Sequence, residues 1–234
     1  MLSVPLDGGP SYAETRAWGL VVEPFNAASA LLYVVVGGYW CVRLCRRRPS
    51  HWLLPLTVPI LTLGGVGGTL YHALRNWRGF LIMDYAAIAI LAVAASGTFA
   101  QRLLGAWWRV CGVLAMLVGA QQAMMAASRA GTLRLGLVTA LNLSYVLVAL
   151  SIAVPVSIYT LREAPRLRGR LAVVLCLYAA GLGFRALDLR SASYSAVGTH
   201  WLWHLFGALA TALLLGLIEA LLDGSGGPGP ARSD

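Results

Sequence analysis

The sequence predicts an all-α fold, a polytopic membrane protein built as a bundle of seven transmembrane helices. Three observations carry this. Hydrophobic residues make up 59% of the 234 and charged ones 12%, with a mean hydropathy of +0.73, whereas about a quarter of a soluble domain is charged. The apolar residues come in repeated runs close to the ~20 needed to cross a bilayer as a helix. No polar linker longer than a loop separates these runs, so residues 1–222 read as one domain.

The elements follow in order. Residues 22–42 form the first span, stopped by "RLCRRR", and 52–73 the second, running into "YHALRNWRG". Residues 80–99 open on "FLIMDYAAI", and 107–125 start at "WWRV". The fifth span, 135–158, contains Pro155; the sixth, 171–187, follows the basic "LREAPRLRGR"; the seventh, 200–222, opens on "HWLWHLFG". Proline and glycine inside a span are tolerated because neighbouring helices re-satisfy the freed backbone groups. The tail "DGSGGPGPARSD", 223–234, is rich in Gly and Pro and reads as disordered. The first twenty residues hold Asp7, Glu14 and Arg16, with no basic stretch followed by an apolar core, so they do not read as a signal peptide.

The net charge of +9 comes from eighteen arginines set against nine acidic residues. The arginines fall in the short segments between spans, which is how membrane topology is encoded, and this excludes the nucleic-acid reading that a basic chain invites. The side holding the loops after spans one, three and five and the C-terminus has Arg43, Arg46, Arg47, Arg48, Arg102, Arg109, Arg162, Arg166, Arg168, Arg170 and Arg232, eleven in all, against seven on the other side. That excess predicts an outside N-terminus and a cytoplasmic C-terminus. A Lys-free, all-Arg composition points to a GC-rich, prokaryotic gene. Cys41, Cys45, Cys111 and Cys176 fall toward the inner ends of their spans, in a reducing compartment where no disulfide is expected. Without a CxxC pair they do not read as zinc thiolates.

Polar groups inside spans are expensive and mark function. Glu23, Asn26 and Ser29 are spaced by three at the start of the first span and share a face. His72 ends the second span, Asp84 opens the third, Asp188 ends the sixth, and His200 and His204 open the seventh. Odd spans begin and even spans end on the same side, so these groups all converge near the outer leaflet.

Residues four apart stack on one helix face about 6 Å apart along the axis. His200 and His204 can therefore share a metal ion, and His72 can add a third nitrogen from another span. Three imidazoles with an open fourth position are the pattern of catalytic rather than structural zinc. Such a zinc makes water a nucleophile near neutral pH, and Asp84 is the candidate general base. The plainer readings are an aromatic-belt position for the two histidines beside Trp201 and Trp203, and interhelical hydrogen bonding for Asn26 and Ser29. Asp188 reads as an ion-pair cluster with Arg185 and Arg190. His51, next to "RRRPS", reads as a loop residue, and Asn142 and Ser144 as packing residues.

Taken together these motifs resemble a known family. "VEPFNAASALLY" fits an E-x-x-N-x-x-S signature in the first helix; "GGTLYHAL" and "LIMDYAAI" fit a histidine ending the second and an aspartate opening the third. "FRALDL" resembles an aromatic-x-x-x-Asp element of the sixth, and "THWLWHLFG" the H-x-x-x-H of the seventh. The set, in order from about Glu14 to Gly207, is similar to the alkaline ceramidase family of the CREST superfamily, whose other branches include adiponectin-receptor-like proteins. The resemblance implies a seven-helix bundle enclosing zinc, and hydrolysis of the amide of ceramide-like lipids to sphingoid base and fatty acid. It implies His72, His200 and His204 as zinc ligands and Asp84 as catalytic acid/base. Glu23 matches a glutamate that contributes to a calcium site in eukaryotic members, with Glu14, Asn26, Ser29 and Asp188 as further candidates for that site or for hydrogen bonds behind the zinc ligands. Two positions depart from the family. Its serine four residues before the helix-2 histidine is Gly68 here, with Thr69 as the candidate water or oxyanion contact one position on, about 100° around the helix. The acidic N-terminal segment is also sparse, with Glu14 and Glu23 its obvious carboxylates.

The function this predicts is a zinc-dependent intramembrane amidohydrolase acting on a membrane lipid. The alternative is a receptor-like or non-catalytic protein in which zinc ties helices together. A proton pathway is disfavoured, because its groups would have to span the membrane rather than gather at one depth.

Overall fold

A computed structural model describes residues 6–16, 19–47, 49–132 and 136–223. The tail predicted as disordered lies outside these residues, apart from Asp223. Seven long helices make up most of the chain, with no strand among the described residues: α1 Pro24–Arg46, α2 Leu53–Leu74, α3 Arg78–Leu104, α4 Trp107–Arg129, α5 Leu137–Glu163, α6 Arg168–Ser191 and α7 His200–Asp223. A 3-10 turn, Pro165–Leu167, joins α5 to α6. All seven are long and apolar enough to cross a bilayer, which fits an integral multi-pass membrane protein. The four cysteines are free.

Several helices run past the ends that hydropathy predicts. Arg43 and Arg46 lie in the last turn of α1, Arg102 in that of α3 and Arg162 in that of α5. Hydropathy stops at charge, but the helical hydrogen bonding does not. An arginine lays its apolar stem along the helix and carries its cation beyond it, where a positive group suits the C-terminal dipole.

Around the bundle, α1 packs between α2 and α7, α2 packs on α3, α3 on α5, α5 on α6 and α6 on α7, while α4 lies outside against α3 and α5. The run "GGVGG" sets how closely α2 approaches its neighbours. A Cβ on Gly64 or Gly67 would strike Ala87 or Met83 of α3, and one on Gly65 would strike Val34 of α1. Between membrane helices lipid is as apolar as leucine, so close van der Waals approach of small residues drives the association.

The two ends of this bundle bury different chemistry. Where α1, α3, α5 and α7 finish, Trp40, Leu53, Leu54, Phe99, Leu217 and Ile218 form an apolar core. At the other end, the histidine end, the buried side chains include Glu23, Asn26, His72, Arg75, Asp188, His200 and His204.

Candidate metal centre

The backbone positions the histidines before any side chain acts. The chain entering α1 lies along the last turn of α2. Val22 N–H donates to the Ala73 carbonyl at 2.9 Å and Glu23 N–H to that of His72 at 3.1 Å, satisfying carbonyls a helix end otherwise leaves open. α7 is capped by Asp188 of α6. Its Oδ1 accepts the N–H groups of Thr199 and His200, each at 2.9 Å, and its Oδ2 accepts that of Ala13 at 2.9 Å. A carboxylate suits a helix N-terminus. Gly198 makes room for it: φ there is +63°, and a Cβ would collide with both the Asp188 carboxylate and Ala13.

His72, His200 and His204 then meet inside the bundle, all buried, with one ring nitrogen from each within 4.8 Å of the others. Their ring centres lie 4.7 Å (His200–His204), 4.9 Å (His72–His204) and 5.3 Å (His72–His200) apart. The partners assign the tautomers. His72 Nδ1 faces the Glu23 carboxylate at 2.5 Å, and His204 Nδ1 faces the Asn26 carbonyl at 3.1 Å and Ser29 Oγ at 2.9 Å. A carboxylate and a carbonyl only accept, so both Nδ1 atoms carry the proton and both Nε2 atoms keep a free lone pair. A metal-binding histidine shows this arrangement, its remote N–H fixed by a carboxylate or carbonyl. His200 Nδ1 is buried with no hydrogen-bond partner. The donor set therefore fits one metal ion, held by three imidazoles after a contraction of an ångström or so to the spacing around a tetrahedral ion. Among the described residues no other group of three metal-ligating side chains comes this close. Tyr12, from the strap formed by residues 6–16, covers the group, its ring 4.0 Å from that of His200 and 5.2 Å from that of His72.

Asp84 stands beside the cluster with a free carboxylate: among the described residues it makes no hydrogen bond or ion pair. It borders a cavity of about 130 Å³ whose other walls are almost wholly apolar, including Leu61, Ala87, Leu91, Ile152 and Leu214. Gly68 adjoins it across the α2–α3 contact; a Cβ there would lie 3.0 Å from Asp84 Oδ1. A hydroxyl at position 68 would thus stand at Asp84, whereas the Thr69 hydroxyl bonds back to the Gly65 carbonyl at 2.8 Å. That is the common habit of a helical threonine. Thr69 gives its proton to its own helix.

The acidic residues considered for calcium are already engaged. Glu23 accepts from Thr15 Oγ at 2.5 Å, His72 Nδ1 at 2.5 Å, Asn26 Nδ2 at 3.4 Å and the Arg75 guanidinium. Glu14 accepts the Phe25 and Asn26 N–H groups at 2.7 and 2.9 Å, capping α1. Burial alone would raise the Glu23 carboxyl, but the His72 contact and the Arg75 charge outweigh it and hold it below the ordinary carboxylate range. Burial wins at Glu14, which is pushed up. Arg75 also forks onto Asp7 (Nε–Oδ2 2.7 Å, Nη2–Oδ1 3.2 Å) and donates to the Pro10 carbonyl at 2.9 Å. It ends α2 in the left-handed region, φ +49°, where glycine is usual. A fixed guanidinium therefore sits where these carboxylates converge, and the donor set does not fit calcium.

The expected ion-pair cluster at the end of α6 is also corrected. Asp188 bonds to backbone N–H groups, and neither Arg185 nor Arg190 pairs with it. Ser29 Oγ does bond between helices, as expected, and its partner is His204; Asn26 reaches His204 through its backbone carbonyl, while its side-chain amide donates to Glu23 three residues earlier. Sequence reasoning missed Tyr12 and Arg75 as parts of this site, and Asp7 as the strap's anchor to it. Their one signal is their unusual company, an acid and an aromatic ahead of the first span and a lone arginine three residues past His72. No protein-family model matches the chain, and no curated protein matches it.

Proposed function

We propose that the protein is a zinc-dependent intramembrane hydrolase that cleaves the amide of a ceramide-like lipid to a sphingoid base and a fatty acid. The observation that carries this reading is the pairing of three buried imidazoles, two with fixed tautomers, and a free carboxylate lining an apolar cavity. The ordered motifs that resemble the alkaline ceramidases support it. Zinc bound by His72, His200 and His204 would supply Lewis acidity, polarising a carbonyl and bringing the pKa of water toward 7. Glu23, Asn26 and Ser29 hold two of the ligands in the metal-ready tautomer. The apolar cavity of about 130 Å³ offers a few methylenes of a hydrocarbon chain an apolar wall beside Asp84. Asp84 takes a proton from the attacking water as the C–O bond forms, and returns it to the amine nitrogen as the C–N bond breaks. The arginine bias orients this end outward, in a prokaryotic cell membrane.

One observation favours a second reading, in which the metal only ties α2 to α7. With Gly68 and the back-bonded Thr69, no hydroxyl from α2 stands beside Asp84 to assist an oxyanion, and a missing donor of that kind costs about 10²–10³ in rate. Elemental analysis of wild type beside His72→Ala, together with a panel of fluorescent lipid amides, separates the two. The hydrolase reading expects zinc at about one per chain in wild type, and an Asp84→Asn variant that keeps zinc but loses about 10²–10⁴ in rate. Zinc with no turnover across the panel, or full activity in Asp84→Asn, overturns it.

A further inference from the structure

Arg185 is a buried cation that no carboxylate neutralises. It lies on α6 with 8% exposure, and among the described residues it forms no ion pair. The obvious candidate, Asp188 three residues on, has given both oxygens to backbone N–H groups. Arg185 Nε has no hydrogen-bond partner. Its contacts are aromatic: the guanidinium carbon sits 3.9 Å from the Tyr145 ring centre and 5.8 Å from that of Trp203. Withdrawing an ion from water costs several kcal/mol, while a desolvated cation–π contact returns about 2. An intramembrane cation left in this deficit points to an anion that arrives as a ligand.

The location says which ligand. Trp203 precedes His204 and its ring lies 5.8 Å from the Arg185 guanidinium, and Tyr12, which lines the same cavity as Arg185, stacks on His200, so Arg185 stands one aromatic layer from the histidines. It borders a small, partly open cavity of about 20 Å³ whose walls include Ser11, Tyr12, Asn142 and Asp188, the last with both oxygens held by backbone N–H groups; the space admits one oxygen of a larger group.

We infer that Arg185 is the subsite for an anionic group on the lipid substrate, a carboxylate or phosphate carried near the scissile amide. The planar fork of arginine matches either group. This rests on the lipid-amide reading above, and it narrows the substrate from a neutral ceramide to an acidic N-acyl lipid.

The test uses the purified, metal-loaded full chain and three probes of equal acyl length: an N-acylglycine, a ceramide 1-phosphate and a neutral N-acylethanolamine. Thermal stabilisation on titration gives each affinity without requiring turnover, and KM and kcat are measured wherever cleavage occurs. At least one anionic probe is expected to bind about 10- to 100-fold tighter than the neutral one, and whichever does identifies carboxylate or phosphate as the source. Arg185→Gln is expected to erase that preference, chiefly in KM, and Arg185→Lys to restore part of it. Equal affinity for all three probes in wild type overturns the inference, as does an Arg185→Gln variant that weakens anionic and neutral probes alike. If Arg185→Gln does not fold, the wild-type ratio and Arg185→Lys decide. Anionic preference without cleavage leaves Arg185 as an anion-binding subsite and sinks the hydrolase reading; cleavage without anionic preference keeps that reading and sinks the subsite.

Discussion

The far end of the bundle and its histidine end are built on opposite principles. At the far end Trp40, Leu53, Phe99 and Leu217 are packed almost without exposure, and the charged pair there, Arg43 with Glu219, stays at the rim with side chains 32% and 14% exposed. At the histidine end acids, arginines and imidazoles are buried together. Close-packed apolar cores tolerate volume-conserving exchange, so the far end is replaceable in kind. A buried polar network is different, because each member leaves another unsatisfied when it goes. Replacing such a network by an apolar core of the same shape is often neutral or stabilising, and its confinement to one end is what the proposed hydrolase requires there.

The largest effect expected at that end is from His200→Ala. This variant is expected to lose its metal and at least about 10³ of its turnover on any lipid amide that wild type cleaves, since one of three ligands is gone. Chelation should lower the melting temperature of wild type and leave that of the variant unmoved. A variant that keeps both ion and rate would erase the contrast between the ends, reducing the histidines to packing.

Arg75→Met comes next. Removing one partner of a buried ion pair costs about 3–5 kcal/mol, and here two carboxylates, Asp7 and Glu23, lose their cation together. Thermal unfolding in detergent should show that loss, with the strap of residues 6–16 becoming sensitive to protease because Asp7 no longer ties it to α2. Calcium or a calcium chelator should leave the wild-type melting temperature unchanged, because a ligand stabilises only by binding the folded state and the oxygens it needs are taken. A rise in melting temperature with calcium breaks this account of the strap.

How far the sequence disclosed these ends follows from the kind of signal each residue gives. The seven spans and the meeting of His72, His200 and His204 were legible because apolar runs fix depth and histidine is rare in them. The role of Glu23 was half legible: its face was evident, but its bond to His72 depends on the chain before α1 lying along α2, which no periodicity announces. Asp7, Tyr12 and Arg75 act from segments without regular structure, where spacing says nothing about contact. Asp188 misled for a local reason. Three residues from Arg185 on one helix, it reads as an ion pair, yet the turn at Gly198 presents it with two backbone donors and the strap with a third, Ala13, which a helical-spacing rule cannot see.

The smallest effect belongs to the far end. Arg43 forks onto Glu219 (Nε at 3.1 Å from both oxygens, Nη2 at 2.6 Å from Oε2) and lies 5.3 Å over the Trp40 ring. The geometry is as good as that of Arg75 on Asp7, so Arg43→Ala tests whether geometry or burial sets the strength of a pair. A partly exposed pair keeps much of its hydration and is screened, and such pairs contribute about 0–1 kcal/mol. Arg43→Ala should therefore move the melting temperature only slightly, in step with the lost packing of its stem on Trp40, and leave metal content and turnover unchanged. A loss matching that of Arg75→Met would mean that the far end also depends on its charges, and the division between a packed end and a chemical end would fail.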